Sequence, residues 1–227
     1  MSGEGHFAVI DQTYWPRREQ FELFMGFGSP YFSITADVDI TAYRESLPKG
    51  GRFTIGLVYA LAAAANAVEQ FRQRIRGSDV IEFDVVHPSI IVLNADDAFR
   101  FCNFPFAEDF KRFSEGAPER IEQARKAPSM FSAPDQDDYL YLTGLPWISF
   151  SGVTHAAPTH APDSVPRIAW GKYRHVAGRI VLPLNVQVHH ALVDGIHVGR
   201  FYAHVEEILS HAEQWLGETD APTIERA

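Results

Sequence analysis

Hydrophobic and polar positions alternate cleanly in two stretches. Between Tyr31 and Ile40, residues Phe32, Ile34, Ala36, Val38 and Ile40 share one side and mostly polar residues take the other. That period of two predicts a strand with one buried face. Between Arg179 and His189, residues Ile180, Leu182, Leu184, Val186 and Val188 alternate with Val181, Pro183, Asn185 and Gln187, which predicts a longer strand. Beyond it the period changes. Val198, Phe201, Tyr202, Val205, Ile208, Leu209 and Ala212 recur at helical spacing, so a helix packing behind that strand is expected.

The rest of the chain fills in around these elements. Thr54 to about Arg74 is apolar and alanine-rich, predicting the main buried helix, and Gly77-Ser78-Asp79 breaks it. Ile81 to Leu93, rich in Val and Ile, predicts two strands around Pro88. Tyr139 to Phe150 and Ile168 to Tyr173 read as further strands. Ala107 to Lys126 is polar and periodic, a surface helix interrupted near Gly116-Ala117-Pro118. Ala156 to Pro166 carries three prolines and reads as a loop. The sum is a mixed α/β domain over residues 1–216, with a large sheet and helices packed on one side. A polar tail over 217–227 containing Pro222 is expected to fray. No glycine-rich phosphate loop follows a strand, so neither a dinucleotide fold nor a P-loop is supported.

Composition narrows the partners. The 227 residues can bury a substantial core. The formal net charge of −9 argues against nonspecific nucleic-acid binding or attachment to an anionic membrane. Phe53 to Val68 is too short for a confident membrane span. Cys102 is the only cysteine, which excludes an intrachain disulfide and favours a reducing compartment. The first six residues lack the parts of a secretion signal, so a cytoplasmic protein is expected.

The chemistry concentrates in Gln187-Val-His-His-Ala-Leu-Val-Asp-Gly-Ile-His197. A neutral imidazole can take a proton from an alcohol or thiol near neutral pH. Asp194 lies four residues after His190, and Gly195 is expected to let the chain turn sharply. Two histidines at a strand end can also be ordinary polar residues leaving a sheet. A metal site on His189, His190, Asp194 and His197 is the other reading. The spacing is not that of a His-Glu-x-x-His zinc helix, and a lone cysteine supplies no thiolate cluster.

The order His-His-x-x-x-Asp-Gly resembles the signature of CoA-dependent acyltransferases, and the longer form resembles the chloramphenicol acetyltransferase branch. Ile196 departs from it, standing where that branch usually has Phe or Tyr. Three more blocks run in the family's order: Trp15-Pro-Arg-Arg-Glu-Gln-Phe21, Leu142-Thr-Gly-Leu-Pro-Trp147-Ile-Ser-Phe150 and Gly171-Lys172-Tyr173. The resemblance spans about Trp15 to Leu216. It implies the CoA-dependent acyltransferase fold, a two-layer α+β sandwich. It also implies acetyl-CoA as cosubstrate with no tightly bound cofactor, no metal, and a homotrimer with active sites between subunits. The short signature is shared with the acyltransferase core of 2-oxoacid dehydrogenases, but the Trp15 and Pro146-Trp147 blocks favour the acetyltransferase branch.

By that resemblance His190 is the general base, Asp194 pairs with Arg17, and Thr143 stands where the family has the serine that stabilises the oxyanion. Lys172, Tyr173, Trp147 and Arg52 would meet CoA, with Thr54 replacing a family tyrosine. Leu23, Phe24, Phe101 and Phe104 could line an acceptor slot. Arg167 replaces an aliphatic pocket residue and Ala169 a threonine, which implies a wetter or differently shaped acceptor site. Acetylation of a chloramphenicol hydroxyl, as in antibiotic resistance, is the activity implied. A related transferase with another alcohol or amine acceptor and a non-catalytic ligand-binding descendant are the alternatives.

Overall fold

The computed structural model describes residues 5–48, 51–130, 136–158 and 163–217. Its elements in chain order are β1 (Phe7–Val9), α1 (Arg18–Met25), β2 (Tyr31–Asp39), α2 (Thr41–Ser46), α3 (Phe53–Asn66), α4 (Glu69–Arg72), β3 (Gln73–Arg76), β4 (Asp79–Phe83), β5 (His87–Leu93), β6 (Phe99–Asn103), α5 (Phe110–Ser114), α6 (Ala117–Lys126), β7 (Tyr139–Leu145), β8 (Arg167–Gly171), β9 (Arg174–Val176), β10 (Arg179–His189), α7 (Gly195–Ser210) and α8 (Ala212–Leu216). A seven-stranded sheet runs β2-β10-β8-β7-β5-β6, with β9 added beside β10, and a three-stranded sheet runs β1-β4-β3. The large sheet is mixed: β7 is parallel to both neighbours, β5 and β8, and the other pairs are antiparallel.

Strand alternation divides the large sheet into two unlike faces. Leu140, Leu142, Ile168, Trp170, Leu184, Val186 and Val188 point into the main core beneath α3 and α7. The opposite face carries a polar row in register, Asn103–Ser89–Tyr141–Arg167–Gln187–Ser33. The segment around Val153 and His155 covers part of it. Asn185 Nδ2 donates to the Val153 carbonyl at 3.2 Å, and the Gln187 amide exchanges hydrogen bonds with the His155 backbone at 2.8 and 3.2 Å. Pro183 lies within β10, where it can donate no ladder hydrogen bond. It falls between the stretches paired to β9 and to β8, where no donor is required.

Several boundaries differ from expectation. The buried helix ends at Asn66 rather than near Arg74. Asn66 turns its side chain across to the backbone of Ala62 and Val86, and the chain re-enters as α4 and β3. Arg74 is fully buried in β3, its guanidinium satisfied by the carbonyls of Phe71, Gln73, Asp137 and Tyr139. Gly77-Ser78 turns the β3–β4 hairpin instead of ending a helix. Pro88 sits inside β5, not between strands. The Ala107–Lys126 segment is α5 and α6, and Phe110 and Phe113 of α5 are buried, so it is not wholly a surface element. The Tyr139 strand stops at Leu145 and the Ile168 strand at Gly171. Beyond Gly217 the expected tail lies outside the described residues, as does the 159–162 part of the proline-rich loop.

Candidate active site

His189 and His190 end β10 and diverge. His189 continues the polar face. It is 2% exposed, meets Tyr31 edge-on at 5.2 Å, and its Nδ1 accepts the Ala191 N–H at 3.3 Å. Burial pushes its pKa down to about 4, so near neutrality it is an uncharged packing group. His190 lies beyond the strand on the helix side. Its ring stacks on Phe24 at 3.9 Å with planes 9° apart, and Phe32 tilts against it at 4.5 Å. Two aromatic walls and a backbone hydrogen bond, His190 N–H to the Pro30 carbonyl at 2.7 Å, hold that ring. Its Nδ1 is enclosed and 3.4 Å from Asp194 Oδ1, but accepts no hydrogen bond, and a third of the side chain remains accessible.

Asp194 is gripped from the far end of the chain. Arg17, immediately before α1, is buried; Nη1 and Nη2 donate to the two carboxylate oxygens, with Nη2 to Oδ1 at 3.2 Å. Nη2 also donates to the carbonyls of His190 and Ala191 at 3.2 and 3.5 Å. One guanidinium therefore ties the aspartate and the backbone of the histidine into a single unit. A bidentate fork suits this task because its geometry is planar and fixed. The Arg17 hydrogen bond lowers the Asp194 pKa against a smaller opposing effect of burial. His197, one turn into α7, accepts the Asp194 N–H on Nδ1 at 2.9 Å, and burial holds its pKa below the ordinary value. A neutral ring can accept there; a protonated one cannot. Gly195 is the first residue of α7 with no left-handed φ, so the sharp turn expected of it is absent.

On the polar sheet face a cavity of about 470 Å³ opens between Phe99, Phe101, Tyr141, Thr143, His155 and Arg167, among others. Thr143, expected as the oxyanion donor, and Phe101 and Arg167, expected at the acceptor, thus line one cavity. Ala169 pairs in register with Thr143 but is fully buried beside it. Arg167, placed against an apolar slot by the sequence comparison, is not an isolated charge: Nη2 donates to Asp163 and Nη1 to the Val165 carbonyl at 3.3 Å. Phe104 is 1% exposed in the core against Phe113, on the other side of the sheet, so it cannot line this cavity. Leu23 is exposed on α1, and Phe24 serves the histidine. Asp163 and His155 are functional-site candidates that sequence reading passed over. Both lie in the irregular segment between β7 and β8, where no periodicity announces them.

The cavity and His190 do not meet within one chain. Thr143 is level with Asn185 and two strands across from it. At strand spacings, that puts the backbones of Thr143 and His190 roughly 19 Å apart, and their side chains leave opposite faces.

A third cluster lies at the turn after β8. An added Cβ on Gly171 would come within 2.8 Å of the Ile148 carbonyl and 2.9 Å of Pro183, so only glycine allows this approach. Lys172 N–H then reaches the Ile148 carbonyl at 2.6 Å, bringing Lys172 beside the Trp147 loop. Trp147 is 66% exposed, and Lys172 and Arg52 are exposed cations. Tyr173 leans on Phe53 at 5.9 Å, with the Arg44 guanidinium 5.2 Å over its ring. The exposed Lys172 beside the uncovered Trp147 ring suits a phosphorylated, adenine-bearing ligand. Among the described residues no helix is long and apolar enough to cross a membrane, and no group of three His, Cys, Asp or Glu side chains could hold a metal.

Residues 5–206 match the family model described as chloramphenicol acetyltransferase. The chain is 29% identical to chloramphenicol acetyltransferase 3 of Escherichia coli, covering 89% of this chain and 97% of that one. It is 30% identical to the chloramphenicol acetyltransferase of Clostridium perfringens, over 93% and 99% of the two chains. Among solved structures, one chloramphenicol acetyltransferase superposes with a TM-score of 0.84 at 27% identity, over 90% of this chain and all of that one. The cubic core of the pyruvate dehydrogenase multienzyme complex shares the fold, with a TM-score of 0.62 at 19% identity over 87% of each chain.

Proposed function

The chain belongs to the chloramphenicol acetyltransferase family, and on that premise we propose that it transfers the acetyl group of acetyl-CoA to a hydroxyl of chloramphenicol or a related alcohol. The observation that carries this reading is the unit of His190, Asp194 and Arg17 at the end of β10. It supports His190 as the general base. With Nδ1 enclosed beside Asp194, the accessible part of the ring is left to take the acceptor proton as the oxygen attacks the thioester carbonyl. The CoA thiolate departs, and the same imidazolium can return the proton to it. Asp194 is not a relay here, because its carboxylate is occupied by Arg17; it fixes the strand end.

The tetrahedral intermediate needs a donor at its oxygen. The Thr143 hydroxyl, on the cavity wall, is the proposed donor. Because Thr143 and His190 lie far apart in one chain, the reading requires a second copy. One subunit contributes the histidine and its neighbour contributes Thr143 and the acceptor cavity, in a homotrimer. Lys172, Tyr173, Trp147 and Arg52 are the proposed contacts of CoA. A thiol-release assay with acetyl-CoA and chloramphenicol, run beside His190→Ala, tests the proposal. Release of CoA that requires chloramphenicol and disappears in the variant supports it. Release that persists in the variant overturns the role of His190. A second reading, acetyl transfer to a different alcohol or amine, is favoured by the charge pair inside the cavity.

A further inference from the structure

Asp194 is held in three ways. Arg17 grips its carboxylate, its carbonyl accepts the His197 N–H at 3.0 Å, and its own N–H donates to His197 Nδ1 at 2.9 Å. His197 is the third residue of α7, the position from which a Glu or Gln commonly reaches back to the N–H at a helix start. A carboxylate or an amide there would cap the helix as an imidazole does. Capping alone therefore does not account for the histidine.

The surroundings do. His197 is 7% exposed and lies in the field of Arg17. Arg17 Nη1 and Nη2 serve Asp194 and the carbonyls of His190 and Ala191, while its enclosed Nε finds no acceptor among the described residues. A buried guanidinium with an unused donor attracts any carboxylate within reach. A glutamate in place of His197 would set a second anion against Asp194 for the one arginine, and that arginine also holds the His190 backbone. The imidazole avoids this competition. Burial, then Arg17, keeps its pKa below the ordinary value, with Arg200 adding to the effect and Asp194 opposing it. The uncharged ring accepts at Nδ1 and makes no claim on Arg17.

We infer, on the reading that His190 is the base, that His197 is a positioning residue for acetyl transfer. As an uncharged acceptor of the Asp194 N–H, it holds the aspartate without diverting Arg17, and so keeps His190 in place. A shift at Asp194 passes through the guanidinium to the His190 carbonyl, and a small misplacement of a base costs a large factor in rate.

Four substitutions separate positioning from capping. His197→Leu removes the acceptor, His197→Asn and His197→Gln restore a neutral oxygen, and His197→Glu restores the cap with a charge. Each is assayed by thiol release with acetyl-CoA and chloramphenicol, and by thermal unfolding. The Leu and Glu variants should lose at least about tenfold in kcat with KM for both substrates little changed, and the Asn or Gln variant should recover most of it. The Glu variant should fold with a Tm close to wild type, because its helix start is satisfied. A second readout needs no activity. Asp194→Asn is introduced into the Gln and Glu variants and its cost measured by denaturant titration. That cost should be smaller in the Glu background, where the introduced carboxylate takes over Arg17. Equal kcat in the Gln and Glu variants, no recovery in either neutral variant, a Glu variant that fails to fold, or an equal cost of Asp194→Asn in the two backgrounds overturns the inference. If the wild type releases no CoA, acetyl transfer to chloramphenicol fails by itself, and the cost of Asp194→Asn still decides the role of His197.

Discussion

The two halves of the candidate site are built differently, although the same sheet carries both. At the end of β10 the His190 ring is clamped by Phe24 and Phe32, and its strand end is locked to Asp194 by one buried arginine. Every group there is fixed by at least two others. Across the sheet, the Thr143 cavity is roomy, bounded by an irregular segment, and polarised by an ion pair that depends on Asp163. A base needs a single geometry, so its surroundings are over-determined. The cavity is floored by strand side chains but closed on one side by His155, Ala156 and Asp163 of an irregular segment, a wall that can change without disturbing the strand end. The difference teaches that, on the proposed reading, the transfer chemistry and the choice of acceptor should be separable by substitution.

Substitutions should therefore split along the same line. The largest effect is expected from His190→Ala: a loss of about 10²–10⁴ in kcat with little change in Tm, read by thiol release and thermal unfolding. Thr143→Ala, on the other half, should cost about 10²–10³ in kcat with Tm retained. If it instead raised only KM, the hydroxyl would be a binding group and not an oxyanion donor. Arg17→Ala should lower both activity and stability, the latter by about 2–3 kcal/mol in denaturant titration. That is below the loss for a fully enclosed pair, because a third of the Asp194 side chain meets solvent.

Acid should weaken the histidine end next. His189 has a folded pKa of about 4 against an ordinary 6.5, so the unfolded chain binds the proton first as pH falls. Its contribution is complete above pH 6.5 and lost on descending to about 4, roughly 2 kcal/mol by pH 5. Asp194, with its pKa lowered, loses its share only below that range, as pH falls through the ordinary carboxylate values and beyond. Thermal unfolding from pH 7.5 to 5 in the wild type and in His189→Asn checks this, with a shallower slope expected for the variant. The smallest effect is that of Phe24→Leu. Removing the stack on His190 should cost about 1 kcal/mol or less in transition-state stabilisation, a severalfold drop in kcat/KM.

Much of the scaffold could be read from periodicity. β2 and β10 were legible from their alternation and α7 from its apolar stripe, although in β2 only Val38 is buried and β10 is buried on both faces from Leu182 to His189. The Arg17–Asp194 contact could be anticipated only through family resemblance, since 177 positions separate its partners. The end of α3 was hidden for another reason. Glu69 to Arg74 has the composition of a helix, yet the side chain of Asn66 and the burial of Arg74 among backbone carbonyls override local preference. Phe104 reads like Phe101 in sequence; a difference of three positions sends them to opposite faces of the sheet. Asp163 had no signal at all, because the pairing that gives it meaning is made by Arg167 in the next strand.

The central claim is that the base and the acceptor cavity act from different chains, and mixed oligomers test it directly. His190→Ala and Thr143→Ala subunits, each inactive alone, are unfolded together, refolded as a 1:1 mixture and assayed for acetyl-CoA-dependent release of CoA. In a cyclic trimer assembled at random, about a quarter of the wild-type activity should return, because one site in every mixed trimer joins an intact His190 to an intact Thr143. A mixture that stays as inactive as its parents, with mixed trimers shown to have formed, would contradict the account.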